Sequence, residues 1–303
     1  MQVDIADLDC VYLSYDEPKK EEYWVQIQNL VPWAVRVDGV EGSDAAHKAA
    51  ANASTTDRFI LIDGDNIPFP EFFDLTLDIK SEFEDCVFRW KAVNDINGLM
   101  YGNGGLSCWT KEFIYNMRTH ENSDGADENA VEFCYDPKYI AMNNVYSTTY
   151  PNGSERHAFR AGFREGVKMC LQKGTRPGLQ EFNEMVHKRN FDSLNIWHNI
   201  GADSDYGKWA INGARLGTYK TMLEPDWDYT LVQQFSVIDE IFNNFNEDQM
   251  PDINGALLSR LSLPILHMDS STSKFFKKYY AQTYCPADVM TPEIEIIKKV
   301  EGW

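Results

Sequence analysis

The chain lacks closely paired cysteines. Cys10, Cys86, Cys108, Cys134, Cys170 and Cys285 are scattered, and none belongs to a C-x-x-C pair. That argues against a zinc ribbon or dithiol centre and suits a reduced, cytoplasmic setting. Long apolar runs are also missing: none exceeds five residues, so no segment is expected to span a membrane. The opening Met1-Gln2-Val3-Asp4 is acidic and has no basic-then-apolar pattern, so no leader is expected there. There is no internal repeat and no low-complexity stretch. Positive charge is scarce, with 28 Lys and Arg against 47 Asp and Glu, a net charge of −19. Such a surface keeps a protein in solution and repels nucleic acid on average. What is present is apolar material: 43% hydrophobic and 13% aromatic residues in 303. That is ample for a core and excludes disorder over most of the chain.

The charge is unevenly spread. Residues 155–220 hold 11 Lys and Arg against 7 Asp and Glu, while both flanks are acidic. A polyanion would have to meet that middle segment. Patterning also changes near residue 155. Before it, residues 10–15, 34–37 and 59–62 read as strands, with helices over 19–30 and 45–53 between them. Strands so alternated with helices predict a parallel sheet. Residues 86–90 and 98–108 read as later strands. After it, helical spacing covers 156–173, 177–188 and long stretches beyond 230. The expectation is an α/β fold, helices on both faces of the sheet, with a catalytic unit over 1–155 and a mainly helical unit over 156–303.

The feature richest in chemistry is Asp63-Gly64-Asp65, closing the apolar run Phe59-Ile60-Leu61-Ile62. Ligands bind at the carboxyl ends of strands in open parallel sheets. Two carboxylates on a turn there can share a hard divalent cation, which can bridge a diphosphate. An ordinary acidic turn has the same letters. An EF-hand is excluded, because Ile67 and Pro68 stand where an oxygen ligand and a glycine are needed. A D-x-D-x-T phosphatase would need threonine at 67, which makes it a weak alternative. Asp124-Gly125-Ala126-Asp127-Glu128-Asn129 opens an apparent helix. Its carboxylates suit a general base and equally a helix cap. In residues 156–168, Phe159, Phe163, Val167 and Cys170 predict a buried face. Arg156, Arg160, Arg164 and Lys168 form a stripe beside it. Like charges at that spacing repel, so the stripe awaits an anion: local carboxylates, a diphosphate or a nucleic-acid backbone. Gly162 and Gly166 suggest that another backbone passes close. Residues 195–215 combine Gly, Trp, Asn and Asp and read as a long loop for stacking and polar contact. Trp197 and Asp203 are the contacts chosen there.

Residues 42–51 with 59–66 resemble the nucleotide-sugar half of GT-A glycosyltransferases of the family-2-like type. The resemblance implies a UDP-sugar donor and a divalent metal, Mn or Mg. Asp65 would hold the metal with help from Asp63, with His157 as third ligand; His198 and His267 are weaker candidates. Tyr12, Ser14 and Asp16 would border the nucleotide, and Lys48 would face the diphosphate. Tyr101 to Cys108, with Gly104 and Gly105, would form a shelf under the donor sugar; a hairpin turn is the alternative. Asp127 or Glu128 would be the base of an inverting reaction, although the order here is Asp-Glu where the family has Glu-Asp. Residues 12–18, 45–51, 157–169 and 201–203 together resemble a set of glycosyltransferases from tailed bacteriophages. That implies transfer, from UDP-arabinose, to 5-hydroxymethylcytosine in phage DNA in the host cytoplasm, with Arg156, Arg160 and Arg164 on phosphates. The alternatives are transfer to a glycan or protein, or a non-catalytic sugar-binding module. Oligomeric state is not legible.

Overall fold

A computed structural model describes residues 1–122, 133–134, 136–284 and 291–297. The first half contains β1 (Gln2–Asp4), β2 (Asp9–Ser14), α1 (Lys20–Leu30), β3 (Val35–Asp38), α2 (Ser43–Ala53) and β4 (Arg58–Asp63). It continues with β5 (Asn66–Pro68), β6 (Leu75–Asp78), β7 (Val87–Asn94), β8 (Met100–Thr110), α3 (Lys111–Asn116) and β9 (Tyr139–Thr149). The second half holds α4 (Glu155–Lys168), α5 (Phe182–Met185), α6 (Lys188–Asn199) and α7 (Gly207–Leu223). After these come α8 (Phe235–Asn243), α9 (Met250–Leu261), α10 (Ser270–Tyr279) and β10 (Glu295–Ile297).

The main sheet runs in the order β3-β2-β4-β8-β7-β9-β5. β2 pairs in parallel with β3 and β4, and β7 with β9; β8 and β5 run against their neighbours. The fold is α/β. Apolar runs form the central strands because both faces are covered. On β4, Ile60 and Ile62 point into a core shared with Tyr23 and Ile27 of α1. Phe59 and Leu61 point the other way, onto Ala50 and Ala51 of α2 and Phe113 and Ile114 of α3. The small antiparallel sheet β1-β6-β10 adds Leu75 and Leu77 to the α1 side.

The helical half has its own core, built on Phe159, Phe163 and Val167 of α4 and Ala210 and Ala214 of α7. These helices cross at backbone contact. A Cβ on Gly162 would strike the Ala210 carbonyl, and one on Gly166 the Ala214 carbonyl. In return, a Cβ on Gly213 or Gly217 would strike the carbonyl of Phe159 or Phe163. The close approach expected at Gly162 and Gly166 is therefore present, and α7 supplies the matching glycines.

Several expectations need correction. The stretch 195–215 is not a long loop. It is the end of α6, a turn and the start of α7; Gly213 serves helix packing against α4, while Gly201 and Gly207 approach each other in the turn. The helix expected over 177–188 shrinks to Phe182–Met185, behind Pro177 and Gly178, which do not support a helix interior. The one expected over 156–173 ends at Lys168, and further on Lys173 (φ 49°) and Gly174 (φ 76°) turn left-handed. Among the described residues, the region after 230 holds three moderate α-helices rather than long ones. The stretch 101–108 lies within β8, as the strand reading of 98–108 expects, and not in a hairpin turn. Strands β5 and β9 were not legible: one is three residues long, and the other carries Asn143 and Asn144 at its centre.

Candidate functional site

The site begins with register. Leu13 of β2 lies opposite Asp63 of β4, so both strands deliver their following turns to one sheet edge. The hydroxyl of Tyr12 donates to the Gly64 carbonyl at 2.7 Å, tying those turns together. Glu17 closes over them. A Cβ on Gly64 would lie 2.5 Å from the Glu17 carboxyl carbon, so any larger residue between the two aspartates would displace the Glu17 carboxylate.

Three carboxylates therefore crowd a desolvated corner. Burial raises the Asp63 carboxyl well above the usual carboxylate range, and the charges of Asp65 and Glu17 raise it further. Burial, then Glu17, raises Asp65 to about 6. The Asp65 carbonyl meanwhile accepts from the Tyr150 amide at 2.7 Å. The charged forms are disfavoured by burial and by each other, an arrangement that a cation would relieve.

Facing them is α4. Ser154 caps it, accepting from the His157 amide at 3.3 Å and sharing a 2.7 Å bond with His157 Nδ1. His157 Nε2 stands 3.5 Å from Asp16 Oδ1. Arg156 and Arg160 reach Asp16 at 3.2 and 3.4 Å, and each reaches Asp239 of α8 at 2.9 Å. A hydrogen bond from His157, then the two guanidiniums, hold the Asp16 carboxyl far below its usual range. The Phe235 ring lies under Arg160 and Arg164, with centroids 4.3 and 5.2 Å from the guanidinium carbons.

A third wall is the N-terminus of α2. The Glu121 carboxylate accepts from the amides of Ser43 at 2.5 Å and Asp44 at 3.1 Å, as helix N-termini favour. His47 is buried beside it, its Nδ1 2.7 Å from the Ser43 carbonyl and its ring between Trp109 and Phe133. Burial lowers its pKa. Together these walls enclose a cleft of about 910 Å³, floored by Asp63 to Asp65 and flanked by Arg156, Arg160 and Arg164.

The structure brings Ser14, Asp16, Asp63, Asp65, His157, Arg156, Arg160 and Arg164 into this one cleft. Ser14 is buried there and donates to Asp38 at 2.7 Å. Other expected residues lie elsewhere. Tyr12 is wholly buried and props the turn from behind. Lys48 pairs with Asp44 at 2.7 Å, one helical turn back, instead of lining the cleft. Gly104 and Gly105 belong to β8, and Gly105 is glycine because Asn66 packs against it. Trp197 is 1% exposed, and its Nε1 donates to the Tyr101 hydroxyl at 2.6 Å. Asp203 accepts from Ser273 at 2.7 Å and faces Lys277 at 3.6 Å. Both serve the helical core, and neither lines the cleft. His157 is turned to Asp16 rather than to the aspartate pair. Among the described residues, no group of three or more His, Cys, Asp and Glu side chains could hold a metal ion. No described helix is long and apolar enough to cross a membrane. Asp127 and Glu128 lie outside the described residues.

Sequence reading missed Glu17, Glu121 and Asp239. Glu17 is adjacent to Asp16 and within reach of inspection. Asp239 is not, since nothing local marks an α8 carboxylate as the partner of α4. Comparison with known protein families and with curated protein sequences finds no match for this chain.

Proposed function

We propose that the chain is a metal-dependent glycosyltransferase of the GT-A type that moves a sugar from a UDP-sugar to a hydroxyl acceptor. The observation that carries this is the half-buried Asp63 and Asp65 pair at the carboxyl edge of β4, facing the arginines of α4 across one cleft. A divalent cation, Mn or Mg, fits the donor set: two hard oxygen ligands on a glycine turn, in a corner where carboxylate charge is uncompensated. With only two protein carboxylates, the remaining ligands would be diphosphate oxygens and water. When bound, such an ion neutralises a leaving diphosphate.

The chain's own residues supply the rest. Glu17 and the Tyr12 hydroxyl fix the aspartate turn. The arginine stripe lines the interior of the cleft, so it suits a diphosphate held inside better than a duplex lying across the surface. Asp16 and Asp239 already balance Arg156 and Arg160, which keeps the wall in place before substrate arrives. Asp127 or Glu128 is proposed as the base.

UDP-arabinose as donor and 5-hydroxymethylcytosine in DNA as acceptor rest on the resemblance alone, and the net charge of −19 favours a glycan or protein acceptor instead. One experiment separates these. The protein is incubated with Mn, a mixture of UDP-sugars and hydroxymethylcytosine-containing DNA, with Asp65→Ala as control. UDP release and the mass of the digested nucleosides are read. Pentose or hexose mass on hydroxymethylcytosine, absent from the variant, supports the whole reading. Metal-dependent and Asp65-dependent UDP release without it removes the DNA acceptor and keeps the transferase. Absence of both overturns the transferase in favour of a sugar-binding module.

A further inference from the structure

Phe235 opens α8, and helical spacing puts it on one stripe with Ile238 and Phe242. The stripe divides between two surroundings. Ile238 is buried in the helical core, and Phe242 packs there with its ring centroid 5.4 Å from those of Phe159 and Trp209. Phe235, one turn earlier, reaches past that core and lines the cleft, with 40% of its surface exposed. A large apolar side chain left in water inside a cleft lacks burial that a ligand would restore.

The contacts of the ring account for one side of it. The guanidinium carbons of Arg160 and Arg164 lie over it, and both come from α4. Such cation–π contact takes one face of a ring. Arg160 does not depend on Phe235 for charge, since Asp16 and Asp239 already meet it. The rest of the ring is presented to the cleft, beside the arginine stripe that suits a diphosphate. Its neighbours in the chain are polar: Gln233 and Ser236 line the same cleft, and Ser236 is exposed. An aromatic face bordered by amide and hydroxyl groups matches a sugar ring, which has an apolar C–H face and a rim of hydroxyls.

We infer, resting on the transferase reading, that Phe235 is a specificity-determining residue: the platform on which a sugar ring stacks beside the arginine stripe. Two sugars can meet this chemistry, the donor's and the acceptor's. The test is calorimetric titration of the intact protein, with Mg, against pyrophosphate, UDP and a panel of UDP-sugars. Ligand-observed NMR with a panel of methyl glycosides accompanies it. Phe235→Leu keeps apolar cover over Arg160 and removes the ring, whereas Phe235→Tyr keeps the ring. In Phe235→Leu, UDP-sugars are expected to bind about tenfold more weakly, with pyrophosphate and UDP unchanged and Phe235→Tyr close to the unaltered protein. That result assigns the platform to the donor sugar. Loss of methyl glycoside binding, with UDP-sugars unchanged, assigns it to the acceptor sugar. Should Phe235→Leu fail to fold, Phe235→Met, which also lacks the ring, takes its place. An equal loss for pyrophosphate means that the ring only braces the arginines, and an equal loss for UDP means that it holds the base; either overturns the inference. Unchanged binding of every probe overturns it too. Absence of UDP and UDP-sugar binding by the unaltered protein overturns the transferase reading itself, and this inference with it.

Discussion

Arg160 and Arg215 are buried to nearly the same extent, 6% and 5% exposed, yet they are held in opposite ways. Arg160, on the cleft, is clasped by Asp16 and Asp239. Arg215, in the helical half, meets only amides and carbonyls. The contrast extends to the regions around them. The cleft is crowded with carboxylates, some balanced by α4 and some not. The helical half is crowded with backbone, four glycines letting α4 and α7 touch. The lesson is that charge in the cleft is shared among carboxylates and guanidiniums from distant elements, whereas close packing in the helical half fixes the frame on which α4 presents it.

The largest effect should come from breaking that frame. Gly162→Val places a branched side chain against the Ala210 carbonyl, which belongs to a helix and cannot rotate away. A loss of about 3 kcal/mol or more is expected by denaturant titration. A loss under about 1 kcal/mol would show that the helices separate easily. Next is Asp239→Asn, which removes one clasp from Arg156 and Arg160. The groups are partly exposed, so about 1–2 kcal/mol is expected. Turnover should fall too, if α4 orients a diphosphate; unchanged KM for the donor would detach the stripe from the donor site.

A smaller effect carries an opposite sign. The Asp65 carboxyl ionises near 6 when folded, against its usual 3.8. Between these values the folded chain holds a proton that the unfolded chain releases. This group therefore favours folding least at high pH, and its share of stability falls as pH rises through 6. Asp65→Asn should raise Tm by a few degrees at pH 8 and flatten the slope of Tm between pH 4 and 7, while abolishing metal-dependent turnover. A Tm lowered at pH 8 would mean that the corner is not strained. Smallest is Lys48→Ala. A partly exposed i,i+4 pair contributes about 0.3–0.5 kcal/mol, and the donor KM should not move. A tenfold rise in KM would restore Lys48 to the diphosphate.

Much of the sheet was legible because its strands are covered on both faces. Phe59 to Ile62 can only be a buried run, and the helices between strands announce themselves by alanine and by spacing. The aspartate turn was legible for the same reason, being the polar end of that run. Residues 195–215 misled because glycine, tryptophan and asparagine suit a ligand loop and a tight helix seam equally. Trp197 and Asp203 went to the core with them. Glu121 and Asp239 were invisible because their partners, the amides of α2 and the arginines of α4, lie 77 and 79 residues or more away.

The sequence by itself determined the α/β class, the position of Asp63 and Asp65 at a strand end, and a cationic stripe on α4. Each follows from local periodicity, which one chain segment carries alone. Only the tertiary structure decided which carboxylates neutralise that stripe, that Glu17 joins the aspartate pair, and that Arg215 is buried without a counter-charge. Those outcomes depend on distances between segments far apart in the chain. Burial and charge compensation are properties of the assembled neighbours.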